Sequence, residues 1–175
     1  MKISKLTLVL MAGLPGAGKT TLARKLGDGL KWHVIDKDGL KEKFLKQGLY
    51  DDEASKVAYD KSFDAVRDVL TRLQSSVILD SAALHTFILE NALEIVSSVP
   101  NAQLKVILCV ADRDLRNRRL RDRSAQITAI RVDPATIADY LQLFKHLPPP
   151  PDNLILYTNR SFEECLTEAR NYLIV

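Results

Sequence analysis

Residues 13 to 20 read Gly13-Leu14-Pro15-Gly16-Ala17-Gly18-Lys19-Thr20, and no other stretch constrains the fold as tightly. The spacing is G-x-x-x-x-G-K-[ST], the phosphate-binding P-loop or Walker A motif. Glycines let successive backbone N–H groups turn inward as an anion-binding nest, where side chains would block phosphate oxygens. Lys19 supplies an ammonium for the outer phosphates, and the Thr20 hydroxyl suits a bridging Mg²⁺. The helix that must follow points its positive dipole end at the same phosphates, with Thr21 in its first turn.

The surroundings fit the motif. Leu6 to Ala12 is a short apolar run of the kind that forms a fully buried parallel strand. From Thr20 to Leu30, Leu22, Ala23 and Leu26 recur at helical spacing. Strand, loop, lysine, hydroxyl and helix together mark a nucleoside triphosphate site, with residues 13–21 as its expected contacts.

A chain of 175 residues fits a single domain, here expected to span 1–175. Its 46% apolar and 27% charged residues describe a soluble globular protein. The net charge of +3 is too small to argue for nucleic acid. Cys109 and Cys165 lack metal or redox spacing and read as buried, reduced thiols, in keeping with a cytoplasmic setting. No run is apolar for long enough to span a membrane, so no membrane partner is expected. The sequence sets no oligomeric state.

Strands and helices are expected to alternate along the whole chain. Trp32 to Asp36 reads as a second strand and Asp38 to Gly48 as a short helix closed by glycine. A long helix runs from Asp51 to about Ser75 on a stripe of Ala54, Val57, Ala58, Ala65, Val66, Val69, Leu70 and Leu73. Tyr59 and Phe63 fall off that stripe, either flooring a cleft or packing on a neighbouring element. Ser76 to Asp80 is the third strand, Leu84 to Val99 a helix, and Leu104 to Val110 the fourth strand. The Arg-rich stretch from Asp112 to about Arg123 forms the next helix. A further helix opens at Asp133-Pro134 and runs to about Leu147, and Pro148 to Pro151 form a polyproline connector. Asn153 to Tyr157 is the fifth strand, and Ser161-Phe162-Glu163-Glu164 is a capping box opening the last helix. Five apolar runs alternating with helices imply an α/β fold, a parallel sheet covered on both faces.

Three groups of side chains carry candidate chemistry. Asp80, at the carboxyl end of an apolar strand, is placed to act as a Walker B acid and to hold Mg²⁺ with Thr20. Asp36 and Asp38 end the second strand, on the edge where open α/β sheets bind ligands. A carboxylate there can take the proton of an attacking hydroxyl, and Asp38 is the expected one; its other available task is to cap the short helix. Lys41 would share a helical face with Asp38 and neutralise substrate charge. The segment from Asp112 to Arg123 carries six arginines and three acids. Arg116, Arg119 and Arg123 share one face of such a helix, which reads as a nucleotide-closing lid over about 112–132, with Arg119 and Arg123 directed at the transferring phosphates.

Gly13–Thr20, Asp38-x-x-Lys41, Val77-Ile78-Leu79-Asp80 and Arg119-x-x-x-Arg123 together resemble the small AAA-type P-loop kinases of the zeta-toxin, gluconate-kinase and chloramphenicol-phosphotransferase kind. The pattern is most similar to the kinase domain of phage polynucleotide 5′-kinase. The resemblance spans roughly residues 5 to 173. It implies a three-layer P-loop fold with sheet order 2-3-1-4-5, Asp38 as general base, and paired lid arginines four residues apart. One departure is that Lys41 stands where the family usually has arginine, and lysine cannot make a planar bidentate contact with phosphate.

The expected activity is transfer of the γ-phosphate of ATP, with Mg²⁺, to a hydroxyl of a small molecule of the nucleoside, sugar-acid or antibiotic class. Lys19, Asp38, Arg119 and Arg123 are the expected catalytic residues, and Asp36, Asp38 and Lys41 the expected acceptor contacts. A polynucleotide 5′-hydroxyl is the alternative acceptor, less favoured because no basic groove interleaved with aromatics is present. An NTP-binding switch is the reading from another class. Asp36-Lys37-Asp38-Gly39 gives its D-x-x-G, yet too little chain separates it from the P-loop, and no guanine signature N-K-x-D occurs.

Overall fold

The computed structural model describes residues 5–82, 85–123 and 152–174. Its frame is a five-stranded parallel sheet in the order β2-β3-β1-β4-β5, as expected. The strands are β1 (Leu6–Ala12), β2 (His33–Asp36), β3 (Val77–Asp80), β4 (Ala102–Val110) and β5 (Asp152–Tyr157). Between them run α1 (Lys19–Leu30), α2 (Lys37–Lys46), α3 (Asp51–Thr71), α4 (Thr86–Ser98) and α5 (Arg113–Arg123), and α6 (Phe162–Ile174) closes the chain. The expected helix from Asp133 to about Leu147, the connector 148–151 and the lid beyond residue 123 lie outside the described residues.

The apolar run of β1 explains why the sheet is covered twice. Alternate side chains of a strand point to opposite faces. Leu8, Leu10 and Ala12 accordingly join one core with Val66 and Leu70 of α3 and Ile88, Ala92 and Ile95 of α4. Val9 and Met11 join the other with Leu22 and Leu26 of α1 and Cys165, Ala169 and Leu173 of α6. Each fully buried Leu or Ile stabilises the fold by roughly 1.5–3 kcal/mol. A strand with no polar face has only the centre of such a sandwich to occupy, and β1 sits there, between β3 and β4.

In α3 the structure decides one open alternative and corrects one expectation. Tyr59 and Phe63 are buried in the first core, the packing role that the sequence offered beside a cleft floor. Leu73, placed on the buried stripe by periodicity, is 57% exposed because the helix ends at Thr71. The remaining boundaries differ from expectation by one or two residues, the usual scatter at fraying ends. In the C-terminal helix the capping box forms as read, with the Ser161 N–H donating to Glu164 (3.1 Å) and the Glu164 N–H donating to Ser161 Oγ (3.3 Å).

Because all five strands are parallel, their carboxyl ends share one edge. Register sets the level of each residue there: Met11 pairs with Asp80, Asp36 pairs with Asp80, and Ala12 pairs with Leu108. The P-loop, the second-strand aspartate and the third-strand aspartate are therefore brought together by sheet geometry alone.

Candidate active site

The P-loop leaves β1 in a conformation that needs its glycines. Gly13, Gly16 and Gly18 all have positive φ, at 127°, 79° and 92°. At two of them a side chain is also excluded by backbone. A Cβ on Gly13 would lie 2.2 Å from the Cys109 carbonyl oxygen, and one on Gly16 would lie 2.7 Å from that of Arg116. The loop is thus pressed onto the end of β4 and the start of α5. Its first N–H, of Gly13, donates to the Ala82 carbonyl just beyond β3 (3.2 Å).

Lys19 folds back over the loop, its ammonium donating to the Leu14 carbonyl at 3.1 Å. Asp80 is buried at the end of β3. Burial pushes its carboxyl above the usual range, while a hydrogen bond with Thr20 and the charge of Lys19 pull it back. The negative charges of Asp36 and Asp38 reach it too and push in the same direction as burial. Thr20 and Asp80 together offer a hydroxyl and a carboxylate beside the phosphate loop, a hard-oxygen donor set that fits Mg²⁺.

The two second-strand aspartates divide their tasks differently from expectation. The helix begins at Lys37, so Asp36, not Asp38, is the N-cap: its Oδ1 accepts from the Gly39 N–H at 2.9 Å. Asp36 also meets Arg24 of α1 at 3.3 Å. Asp38 lies in the first turn of α2, its side chain 78% exposed, and is held by the Lys37 ammonium at 2.6 Å. Lys37 itself is buried and stands over the Tyr59 ring, 4.8 Å from its centroid. Lys41 pairs with Asp51 at 2.9 Å, tying α2 to α3. Its ammonium is thereby engaged within the protein rather than reaching alone toward the cleft.

The Arg-rich helix meets the P-loop from the other side. Arg119 donates through Nη1 to the Gly16 carbonyl (3.3 Å) and to Thr158 Oγ1 (3.1 Å), and through Nη2 to the Thr158 carbonyl (2.8 Å). The Thr158 hydroxyl in turn donates to the Ala17 carbonyl at 2.9 Å. Arg116 stays on its own helix entrance, its Nε donating to the Ala111 carbonyl (3.2 Å). Arg123 closes α5, and its side chain lies outside the described residues. Beside this brace opens a cleft of about 330 Å³ bordered by Gly18, Thr21, Arg119, Thr158, Arg160 and Phe162.

Sequence reasoning named the loop, Asp36, Asp38, Asp80 and Arg119 but missed Lys37 and Thr158. A lysine between two aspartates reads as solvated, and nothing in the run Asp36-Lys37-Asp38 marks it for burial. Thr158 follows the last apolar strand by one residue, and that position at the carboxyl edge was its only signal.

Comparison with known proteins agrees with this architecture. A family model described as AAA domain matches residues 8–147. No curated protein matches. Among solved structures, a protein from Chloroflexus aurantiacus J-10-fl, provisionally described as a kinase, superposes with a TM-score of 0.72 at 22% identity, covering 98% of both chains. The Mycobacterium tuberculosis APS kinase CysC, solved with AMPPNP and APS, gives 0.66 at 19% identity over 98% of this chain and 99% of that one. A sugar kinase from Janibacter sp. HTCC2649 gives 0.63 at 16% identity over 98% and 95%. At these identities the likeness is one of fold.

Proposed function

The chain belongs to the AAA-domain family, and we propose that it is an ATP-dependent phosphotransferase acting on a hydroxyl of a small molecule, in the nucleoside, sugar-acid or antibiotic class. The observation that carries this reading is the convergence on Asp80. One buried carboxyl is touched by the Thr20 hydroxyl and lies within the electrostatic reach of Lys19, Asp36 and Asp38. Met11, Asp36 and Asp80 share one level of the sheet edge, which supports a phosphate loop, a metal acid and an acceptor carboxylate serving one transferring group. That the similar folds include an APS kinase and a sugar kinase supports the same class.

In this reading the inward N–H groups of residues 13–20 hold the phosphates, and Lys19 exchanges the Leu14 carbonyl for phosphate oxygen. The nucleoside lies in the cleft beside Gly18 and Phe162. Thr20 and Asp80 would hold Mg²⁺, which would supply neutralising charge for the outer phosphates. Asp38, exposed at the edge and fixed by Lys37, accepts the proton as the acceptor oxygen attacks the γ-phosphorus of ATP and the bond to the bridging oxygen breaks, releasing ADP. Arg119 braces the loop through Gly16 and Thr158, and with Arg123 it is the proposed stabiliser of charge on the transferring group.

The test is nucleotide-dependent. ATP with Mg²⁺ is expected to raise the melting temperature, since a ligand bound only by the folded state stabilises it by mass action. Lys19→Ala is expected to lower ADP release with an accepted acceptor roughly a hundredfold or more. Full activity in that variant, or no thermal response to ATP with Mg²⁺, overturns the proposal.

A further inference from the structure

Beyond the phosphate cradle, the carboxyl edge carries a wall of aromatic rings for which nucleotide binding has no use. It begins at Asp38. The Lys37 ammonium, 2.6 Å from that carboxylate, stands over the Tyr59 ring. Tyr59 meets Phe87 edge-on, centroids 5.2 Å apart at 85°. Phe87 runs nearly parallel to His85, at 5.9 Å and 17°. Carboxylate, ammonium and three rings thus form one unbroken line of contacts.

Packing accounts for only part of that line. Tyr59 belongs to the core, but Phe87 is 43% exposed although the next two residues of α4, Ile88 and Leu89, are buried. His85 is exposed as well. α4 follows β3, so its first turn lies at the same edge as Asp80 and the P-loop. An apolar ring left in water at that edge, with a second ring aligned beside it, is unfavourable for the empty protein and favourable for a ligand that covers it. The rings offer flat faces and few hydrogen-bonding groups. A sugar acid, with a polar atom on every carbon, would leave most of its hydroxyls unpaired against them.

We propose that Phe87 and His85 form the platform of the acceptor subsite, and that the acceptor is a hydroxyl compound carrying a flat aromatic or heteroaromatic ring. The ring stacks on the exposed pair while the hydroxyl meets Asp38. This rests on the phosphotransferase reading above, with Asp38 as the acceptor carboxylate, and narrows its substrate class.

The experiment measures ADP release from ATP with Mg²⁺ against two sets of hydroxyl compounds. Nucleosides and chloramphenicol carry rings; gluconate, ribose and glycerol carry none that is aromatic. Ring-bearing compounds are expected to be turned over with the higher kcat/KM. Phe87→Ala is expected to raise KM for them roughly tenfold, the scale of one lost aromatic contact, with kcat little changed. Phe87→Trp should keep a low KM. Because Phe87 also touches Tyr59, each variant's melting temperature is measured. His85→Ala, which alters an exposed ring, supplies an independent arm and should raise KM in the same direction. Preferred turnover of a ring-free acceptor, no turnover of any ring-bearing compound, or an unchanged KM in both Phe87→Ala and His85→Ala overturns the inference. If ATP with Mg²⁺ still stabilises the protein and Lys19→Ala is still inactive, such a result removes the ring platform alone. Loss of those two responses removes the phosphotransferase reading and the inference with it.

Discussion

Asp36 and Asp38 are two residues apart and differ in everything that matters. The first is consumed by structure: it closes the N-terminus of α2 through the Gly39 N–H and meets Arg24. The second is exposed, with its carboxylate paired to a buried lysine. Asp36→Ala is expected to cost about 1 kcal/mol of stability, the scale of a lost cap, with little added by the exposed ion pair. Asp38→Asn is expected to leave ATP binding nearly unchanged, to lower the melting temperature because the buried Lys37 loses its ion partner, and to lower kcat roughly a hundred- to ten-thousandfold. Paired denaturation curves and kcat values for the two variants check this; a kcat loss in Asp36→Ala equal to that in Asp38→Asn would reverse the assignment. The sequence showed that two carboxylates stood at this edge but pointed to Asp38 as the alternative cap. The run Asp-Lys-Asp-Gly offers a helix two starting points. The choice between them is made by β2, whose pairing with β3 carries it through Asp36 and no further.

α5 is the element whose nature was easiest to read and whose posture was hardest. Six of its eleven residues are arginine, the composition behind the expectation of an anion-binding helix. In the described structure Arg119 is bound to the P-loop itself, spanning Gly16 and Thr158. That contact joins positions 103 residues apart and depends on the backbone of Arg116 lying where a side chain on Gly16 would be. No local pattern encodes such a meeting. Its consequence is that Arg119→Ala should weaken ATP binding as well as turnover, roughly tenfold or more in affinity, the scale of charge-assisted hydrogen bonds. Thr158→Val should weaken affinity in the same direction and less. Isothermal titration with ATP and Mg²⁺ reads both; unchanged affinity in Arg119→Ala would mean that the brace carries no binding energy. The strands, by contrast, were legible throughout, because β1, β3 and β4 are apolar on both faces and few other folds accept such runs.

At the scale of the whole molecule, the sheet collects residues from four separate stretches of chain at one edge and buries an acid among them. Asp80 stands in the protein interior with its carboxyl pushed above the usual range. Asp80→Asn, which keeps the shape and removes the buried charge, is therefore expected to melt no lower than the wild type in metal-free buffer. The stabilisation by ATP with Mg²⁺ should be largely lost in the same variant. A clear drop in the metal-free melting temperature would mean that the carboxylate serves the fold rather than the ion. The brace on the P-loop carries a different consequence. Thr158 reaches back 141 residues to the Ala17 carbonyl, and Arg119 reaches back 103 to Gly16. On the ribosome the loop is therefore made well before the residues that brace it. A growing chain displays the glycines and Lys19 long before β5 exists to hold them in shape. The loop can reach its braced shape only once β5 has been made.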